Sequence, residues 1–389
     1  MTIRLSAVRR LFPATKRMNY LFNGGLSLVS IPVQEAMRKT ISEFENGIGI
    51  DNWQKWMRDV SEAYGLFANL IGAKAEETVA IQNTSIGMAM IARMIDSKPG
   101  TNIVLDDLEY PTIYPFTTSR KSGVEMRITR NKEGYIDVKE LESLTDDRTS
   151  AIVVSSVSCW NGYRYDIKEL SEIAHKHSAY LVLDAAQQVG AIRLDVKREG
   201  VDFLATCGHK WLLGPAGTGF LYVRRELIER LDPPMPGWMS LPEPEGVQNE
   251  NWQPEFPKTA QRFETGMPNL VPLAGIRASL ELIHKLGLEN IEKDILKRTE
   301  YIVEKLRDMG VRIFTPIEME HRAGLVTFLL KKYETLYREL LKHSIITFQH
   351  PENVAKIYHW PNGGLRVDPT FFNTMDELDE FLKHVKKHL

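Results

Sequence analysis

Between about residues 80 and 225, short runs of apolar and β-branched residues alternate with stretches whose apolar positions recur at helical spacing. Residues 103–105, 151–155, 180–183 and 218–223 each read as a buried strand, because apolar side chains there follow one another with little polar alternation. Residues 167–177 read as a helix, with Leu170, Ile173 and Ala174 on one face. This alternation predicts an α/β domain built on a largely parallel sheet. Ligands in such sheets sit beyond the carboxyl ends of the strands. Asp184, which directly follows one predicted strand, and residues 155–158, which close another, are therefore placed for chemistry.

The pattern changes further along. Residues 273–305 read as helical, followed by strand-like runs at 311–314, 325–329 and 364–367. At 389 residues the chain exceeds the size at which a single core usually stops growing. Two domains are expected: a large α/β domain over 23–270, and a smaller α+β domain from 1–22 together with 271–389. Residues 232–258, with Pro233, Pro234, Pro236, Pro242, Pro244 and Pro254, read as a long irregular segment. Such segments often cover a site or a subunit contact, the alternative being a plain surface excursion.

Composition narrows the class. Hydrophobic residues make up 43% and charged residues 26%, an ordinary globular mix. Forty-nine basic against 51 acidic residues leave a net charge of -2, which argues against nucleic acid or an anionic membrane as the main partner. No apolar stretch approaches the length of a membrane span, and residues 1–16 do not have the form of a secretory signal. Cys159 and Cys207 cannot build a disulfide framework, so a cytoplasmic location is expected.

Two residues carry the chemical signal. Lys210 lies in Cys207-Gly208-His209-Lys210-Trp211, and Asp184 opens Asp184-Ala185-Ala186-Gln187. An aldehyde cofactor needs an amine to hold it, and a pyridine ring needs a carboxylate to keep its nitrogen protonated. Lysine and aspartate are the pair that pyridoxal phosphate requires, whereas either alone is more often a solvated side chain or a helix cap. A phosphate site is expected at Thr84 and Ser85, where a strand end and polar turn lead into a helix of small and apolar residues. No motif points to a metal.

With these residues in place, the chain resembles the class V aminotransferases, the fold type I pyridoxal-phosphate group that includes cysteine desulfurases and isopenicillin N epimerase-like proteins. The resemblance runs over nearly the whole chain and is closest from Asp166 to Val223. It implies that Lys210 bonds the cofactor aldehyde, Asp184 pairs with the ring nitrogen, Gln187 meets the ring hydroxyl, and Tyr110 stacks on the ring. It also implies that His209, Thr84 and Ser85 hold the phosphate. The segment Arg262-Phe263-Glu264-Thr265-Gly266 resembles one that a partner subunit lends to the phosphate, which implies a homodimer with shared sites. Arg366, in Gly364-Leu365-Arg366-Val367, would bind the substrate carboxylate.

Several positions depart from the family pattern. Cys207 stands where a phosphate-binding serine is common, Met267 replaces a threonine of the lent segment, and Cys159 stands where desulfurases often keep an asparagine. Asn161 would take that asparagine's part if its loop bends differently. Desulfurases also carry a mobile nucleophilic cysteine before the carboxylate arginine, and this chain has no cysteine after Cys207. The expected function is a class V aminotransferase acting on a small α-amino acid. The alternatives are a cysteine or cystine C–S lyase, an epimerase, or a non-catalytic scaffold that keeps the fold.

Overall fold

The computed structural model describes residues 5–45, 47, 49–242, 255–357, 360 and 362–389. The central part of the proline-rich segment, 243–254, lies outside the described residues. Seven strands form the main sheet: β1 (Thr78–Ile81), β2 (Asn102–Asp106), β3 (Glu125–Thr129), β4 (Thr149–Ser155), β5 (Tyr180–Asp184), β6 (Phe203–Cys207) and β7 (Gly219–Val223). Their order is β1-β7-β6-β5-β4-β2-β3. β7 runs antiparallel to both neighbours and the remaining pairs are parallel. The chain is thus an α/β protein with a mainly parallel sheet, as its pattern predicts.

Every residue of β2, β6 and β7 is buried, which is why those runs lack alternation. After α1 (Ile31–Glu45) and α2 (Ile50–Leu70), one face of the sheet packs on α3 (Thr84–Ile95), through Met88 and Ile91. The other supports α4 (Ile167–Lys176) through Leu170 and Ala174. The helical stretch read over 273–305 is two helices, α5 (Leu270–Leu286) and α6 (Leu288–Asp308). Gly287 breaks it by adopting φ +81°, a backbone region that a side chain disfavours. Leu273, Ile276, Leu280 and Ile283 of α5 belong to the same core as the large sheet.

A smaller unit follows. Its antiparallel sheet joins β8 (Arg312–Ile313), β9 (Val326–Leu329), β10 (Phe348–His350) and β11 (Gly364–Val367) in the order β10-β11-β9-β8. α6, α7 (Tyr333–Lys342) and α8 (Met375–Lys387) share its core through Ile302, Leu336, Leu340, Phe381 and Val385. Asn19 and Tyr20 pair in parallel with Ile345 and Ile346, and Phe22 bridges to Asp368. These pairings carry Phe22, Gly24 and Gly25 to the place where the small sheet meets the carboxyl ends of the large one. Among the described residues, no helix is long and apolar enough to cross a membrane.

Candidate active site

A cavity of about 410 Å³ lies at the carboxyl ends of β4, β5 and β6, whose last residues Ser155, Asp184 and Cys207 all line it. Its size suits a cofactor with a small substrate. Lys210 enters from the turn that follows β6. There Gly208 N donates to Thr218 O at 2.7 Å and Gly214 N to Gly208 O at 2.8 Å. A Cβ at position 208 would stand 2.3 Å from Thr218 Oγ1, so the turn closes only with glycine. Lys210 Nζ lies 5.6 Å from the centre of the Tyr110 ring. That ring is 44% exposed and lines the cavity mouth.

Asp184 is buried and held at both oxygens. Oδ1 accepts from Ala186 N at 3.0 Å, and Oδ2 accepts from Thr112 Oγ1 at 2.6 Å. Thr112 sits in the short 3-10 turn Pro111–Ile113, where Pro111 presets the first helical φ. Gln187 accepts from Trp211 Nε1 and donates one Nε2–H to Gly24 O, both at 2.8 Å. Its second amide hydrogen is left for the cavity.

The opposite end of the cavity suits an anion. Asn83 caps α3 by accepting from Ile86 N at 3.0 Å, which leaves Thr84 and Ser85 in the first turn at the positive pole of the helix dipole. Among the described residues, His209 Nδ1 is buried without a partner, and Thr84 Oγ1 has only the Cys207 thiol beside it. Burial, and then the charge on Lys210, push the His209 pKa down. At neutral pH its ring is therefore uncharged and donates a single N–H.

Arg366 is buried on β11. Its Nε and Nη2 donate to Asp368 Oδ2 at 3.2 and 2.9 Å, and its Nη1 donates to Cys159 O at 2.7 Å. One N–H on each terminal nitrogen remains for a carboxylate fork. Phe22 and Phe348 stack 5.4 Å apart, and the guanidinium lies 4.8 Å from the Phe348 ring centre. Beneath the cavity, Glu109 accepts from Ser155 N at 2.6 Å and Ser155 Oγ at 2.8 Å. Burial, reinforced by Asp106 beside it, pushes the Glu109 carboxyl well up, so this buried pair shares a proton.

The cavity gathers Thr84, Ser85, Tyr110, Asp184, Gln187, Cys207, His209, Lys210 and Arg366 of the expected set. Asn161 is a correction: its Nδ2 donates to Gly134 O at 2.7 Å and to Phe314 O at 3.3 Å, which turns it away from the cavity. Cys159 faces the cavity instead. Thr265 and Gly266 line a separate cavity of about 420 Å³ with Gly217 and Thr218. Sequence reasoning missed Thr112, Phe22, Trp160 and Phe348. Only Phe22 had a signal, the turn-forming Asn23-Gly24-Gly25 that follows it.

An amine, a fixed carboxylate and an anion cradle with an unpartnered His209 nitrogen together match the aldehyde, the ring nitrogen and the phosphate of pyridoxal phosphate. The comparisons agree. A probable cysteine desulfurase of Methanothermobacter thermautotrophicus is 31% identical over 77% of this chain and 74% of its own length. An uncharacterized aminotransferase of Bacillus subtilis is 26% identical over 95% of this chain and 94% of its own. The apo structure of a cysteine desulfurase from Thermococcus onnurineus superposes with a TM-score of 0.89 at 28% identity, covering 100% of this chain and 98% of that one. The family model for class-V aminotransferases matches residues 19–381. By its cavity and by that match, the chain belongs to the class-V aminotransferase family.

Proposed function

We propose that the chain removes the Cα proton of a small α-amino acid whose carboxylate is held by Arg366. The observation that carries this is the convergence of Lys210, Asp184 and Arg366 on one cavity. Pyridoxal phosphate, when bound, supplies an aldehyde that bonds amines and a protonated ring that draws electrons from Cα. Asp184 keeps the proton on the ring nitrogen, and Thr112 orients Asp184. The Lys210 amine would hold the aldehyde and, when free, would take the Cα proton as general base and return it as general acid. His209, Thr84 and Ser85 bind the phosphate, and Gln187 donates to the ring hydroxyl. Tyr110, at the cavity mouth, would stack on the ring. A second copy of the chain lends Thr265 and Gly266 to the phosphate, which makes the working unit a homodimer. Two buried free thiols suit a reducing, cytoplasmic setting.

The leading reaction is β-elimination from cysteine or cystine. Relatives named for cysteine desulfuration point to a sulfur amino acid. A chain thiol that accepts the sulfur is lacking: burial pushes Cys159 up to about 12 and also raises Cys207, and no cysteine follows. Breaking Cα–H and Cβ–S then releases sulfide from cysteine, or a persulfide from cystine, into solution. Water completes the conversion to pyruvate and ammonia. Transamination is the second reading, favoured by the Bacillus subtilis relative, which covers nearly the full chain. Incubating the cofactor-loaded protein with L-cysteine, L-cystine and L-alanine separates the two. Pyruvate, ammonia and sulfur products formed catalytically without a keto-acid acceptor are expected. Turnover that requires an acceptor would establish transamination, and no product from any amino acid would sink the reading.

Thr112→Val is expected to lower kcat by ~10-fold with little change in KM. A hydrogen bond to a charged group contributes about 1.5–3 kcal/mol, and here it steadies a carboxylate that does not touch substrate. Thr112→Ser restores the hydroxyl and should restore kcat. Steady-state kinetics of the three proteins check this; a Ser variant as slow as the Val variant would assign Thr112 to packing alone.

A further inference from the structure

Outside the cavity around Lys210, the last turns of α7 and α8 bring together four groups that the proposed reaction does not use. Glu339 and His343 lie four residues apart at the end of α7, and helical pitch puts them on one face. His384 and His388 repeat that spacing at the end of α8. Glu339 Oε1 stands 3.3 Å from His384 Nδ1, and Glu339 Oε2 stands 3.4 Å from His388 Nε2. The rings of His343 and His384 are 4.5 Å apart between centres. Ligand atoms of Glu339, His343 and His384 all fall within 4.8 Å of one another.

We propose that Glu339, His343 and His384 form a binding site for one divalent late first-row transition ion, with Zn²⁺ as the reference case and water completing its shell. Imidazole nitrogens and one carboxylate are the donor set such ions favour. Zinc bonds of about 2.0–2.1 Å at tetrahedral angles place neighbouring ligand atoms about 3.3–3.4 Å apart. The Glu339–His384 separation matches that edge and exceeds the ~2.7–2.9 Å of a tight charge-assisted hydrogen bond. His388 borders this set without joining it: its Nδ1 lies 2.9 Å from His384 O, and its Nε2 faces the other oxygen of Glu339. His343 and His388 are also the C-cap residues of their helices, so the carbonyl ends of both helices favour a cation.

The present competitor is Lys387, whose Nζ lies 2.9 Å from Glu339 Oε1. Its side chain is 68% exposed, so swinging it into water costs little. A glutamate carboxyl is ionised at any pH where imidazoles are neutral and free to ligate. A bound ion would tie α8 to α7 and steady the small unit whatever reaction the enzyme performs.

The test is calorimetric titration of the untagged, cofactor-loaded full chain with ZnCl₂ at about pH 7.5. One equivalent should bind, the unfolding temperature should rise, and the visible band of the cofactor should stay unchanged. His343→Ala, at an exposed position, and Glu339→Gln should each weaken binding by ~10-fold or more. Lowering the pH to about 5.5 should weaken it as well, because protons compete for the imidazoles. Absence of saturable binding would overturn the proposal. So would an equivalent that both variants retain, or one that alters the cofactor band, since the ion would then sit elsewhere.

Discussion

Lys210→Ala is expected to lower kcat/KM by ~10³-fold or more and to end covalent attachment of the cofactor. Among the described residues lining the cavity, Lys210 carries the one primary amine. The aldehyde therefore has no second side chain to bond, and the Cα proton has no second base of the same reach. General acid–base catalysis alone contributes ~10²–10⁴-fold. Borohydride reduction followed by mass measurement gives a readout independent of turnover. The wild-type chain should gain the mass of the reduced cofactor, and the variant should not. Added small primary amines should restore part of the variant's rate, because the amine is the missing group and the cavity is open at its mouth. A variant with undiminished turnover would remove Lys210 from the mechanism. One that kept a partner-binding role with no activity in either protein would favour the scaffold reading.

How far the sequence could be read depended on how local each signal was. Strands buried on both faces announce themselves as unbroken apolar runs, and β4, β5 and β7 were legible for that reason. β3, with Glu125, Met126 and Arg127 at the sheet edge, has no such run and went unseen. The Lys210 and Asp184 motifs carry their chemistry in contiguous residues, so they could be found without coordinates. Thr112 acts on Asp184 across 72 positions of chain. Nothing near Pro111 reveals that partner, because the contact is made by the sheet bringing two strand ends together. Asn161 failed for a related reason. Its neighbours suggested a polar loop at the cofactor, but Gly134 and Phe314, distant in sequence, offer carbonyls that turn its amide the other way. The tie also joins the large sheet's loops to the small unit, so Asn161 serves the packing of the two.

The acid beside Arg366 was likewise invisible as a partner, although Asp368 lies only two residues along. In a strand, positions i and i+2 share a face, and here that face is buried. Asp368 is fully buried, accepts from Gly24 N at 3.1 Å and stands 2.9 Å from Arg366 Nε. It thereby couples the glycine turn after Phe22 to the arginine proposed to hold the substrate carboxylate. On that proposal, substrate selection and integrity of the fold meet in one ion pair, and substitution separates them.

Arg366→Ala is expected to cost about 3–5 kcal/mol of stability, because it strands a buried carboxylate without its counterion. Burial already pushes the Asp368 pKa up, and Arg366 is the main group opposing that shift. Removing Arg366 raises it further. A carboxyl whose folded-state pKa exceeds its unfolded value holds more protons when folded, so stability falls as pH rises through that interval. The deficit of the variant should thus be small near pH ~4 and full near neutrality. Adding Asp368→Asn removes the stranded charge while keeping the shape, and most of the stability should return. Activity should not. Two charge-assisted hydrogen bonds to the substrate carboxylate, worth about 1.5–3 kcal/mol each, are still missing, so kcat/KM should remain ~10²–10⁴-fold low in the double variant. Denaturant unfolding across pH and kinetics on the same three proteins read the two effects apart. Recovery of both stability and kcat/KM in the double variant would make Arg366 a structural residue and leave the substrate carboxylate to another group in the cavity.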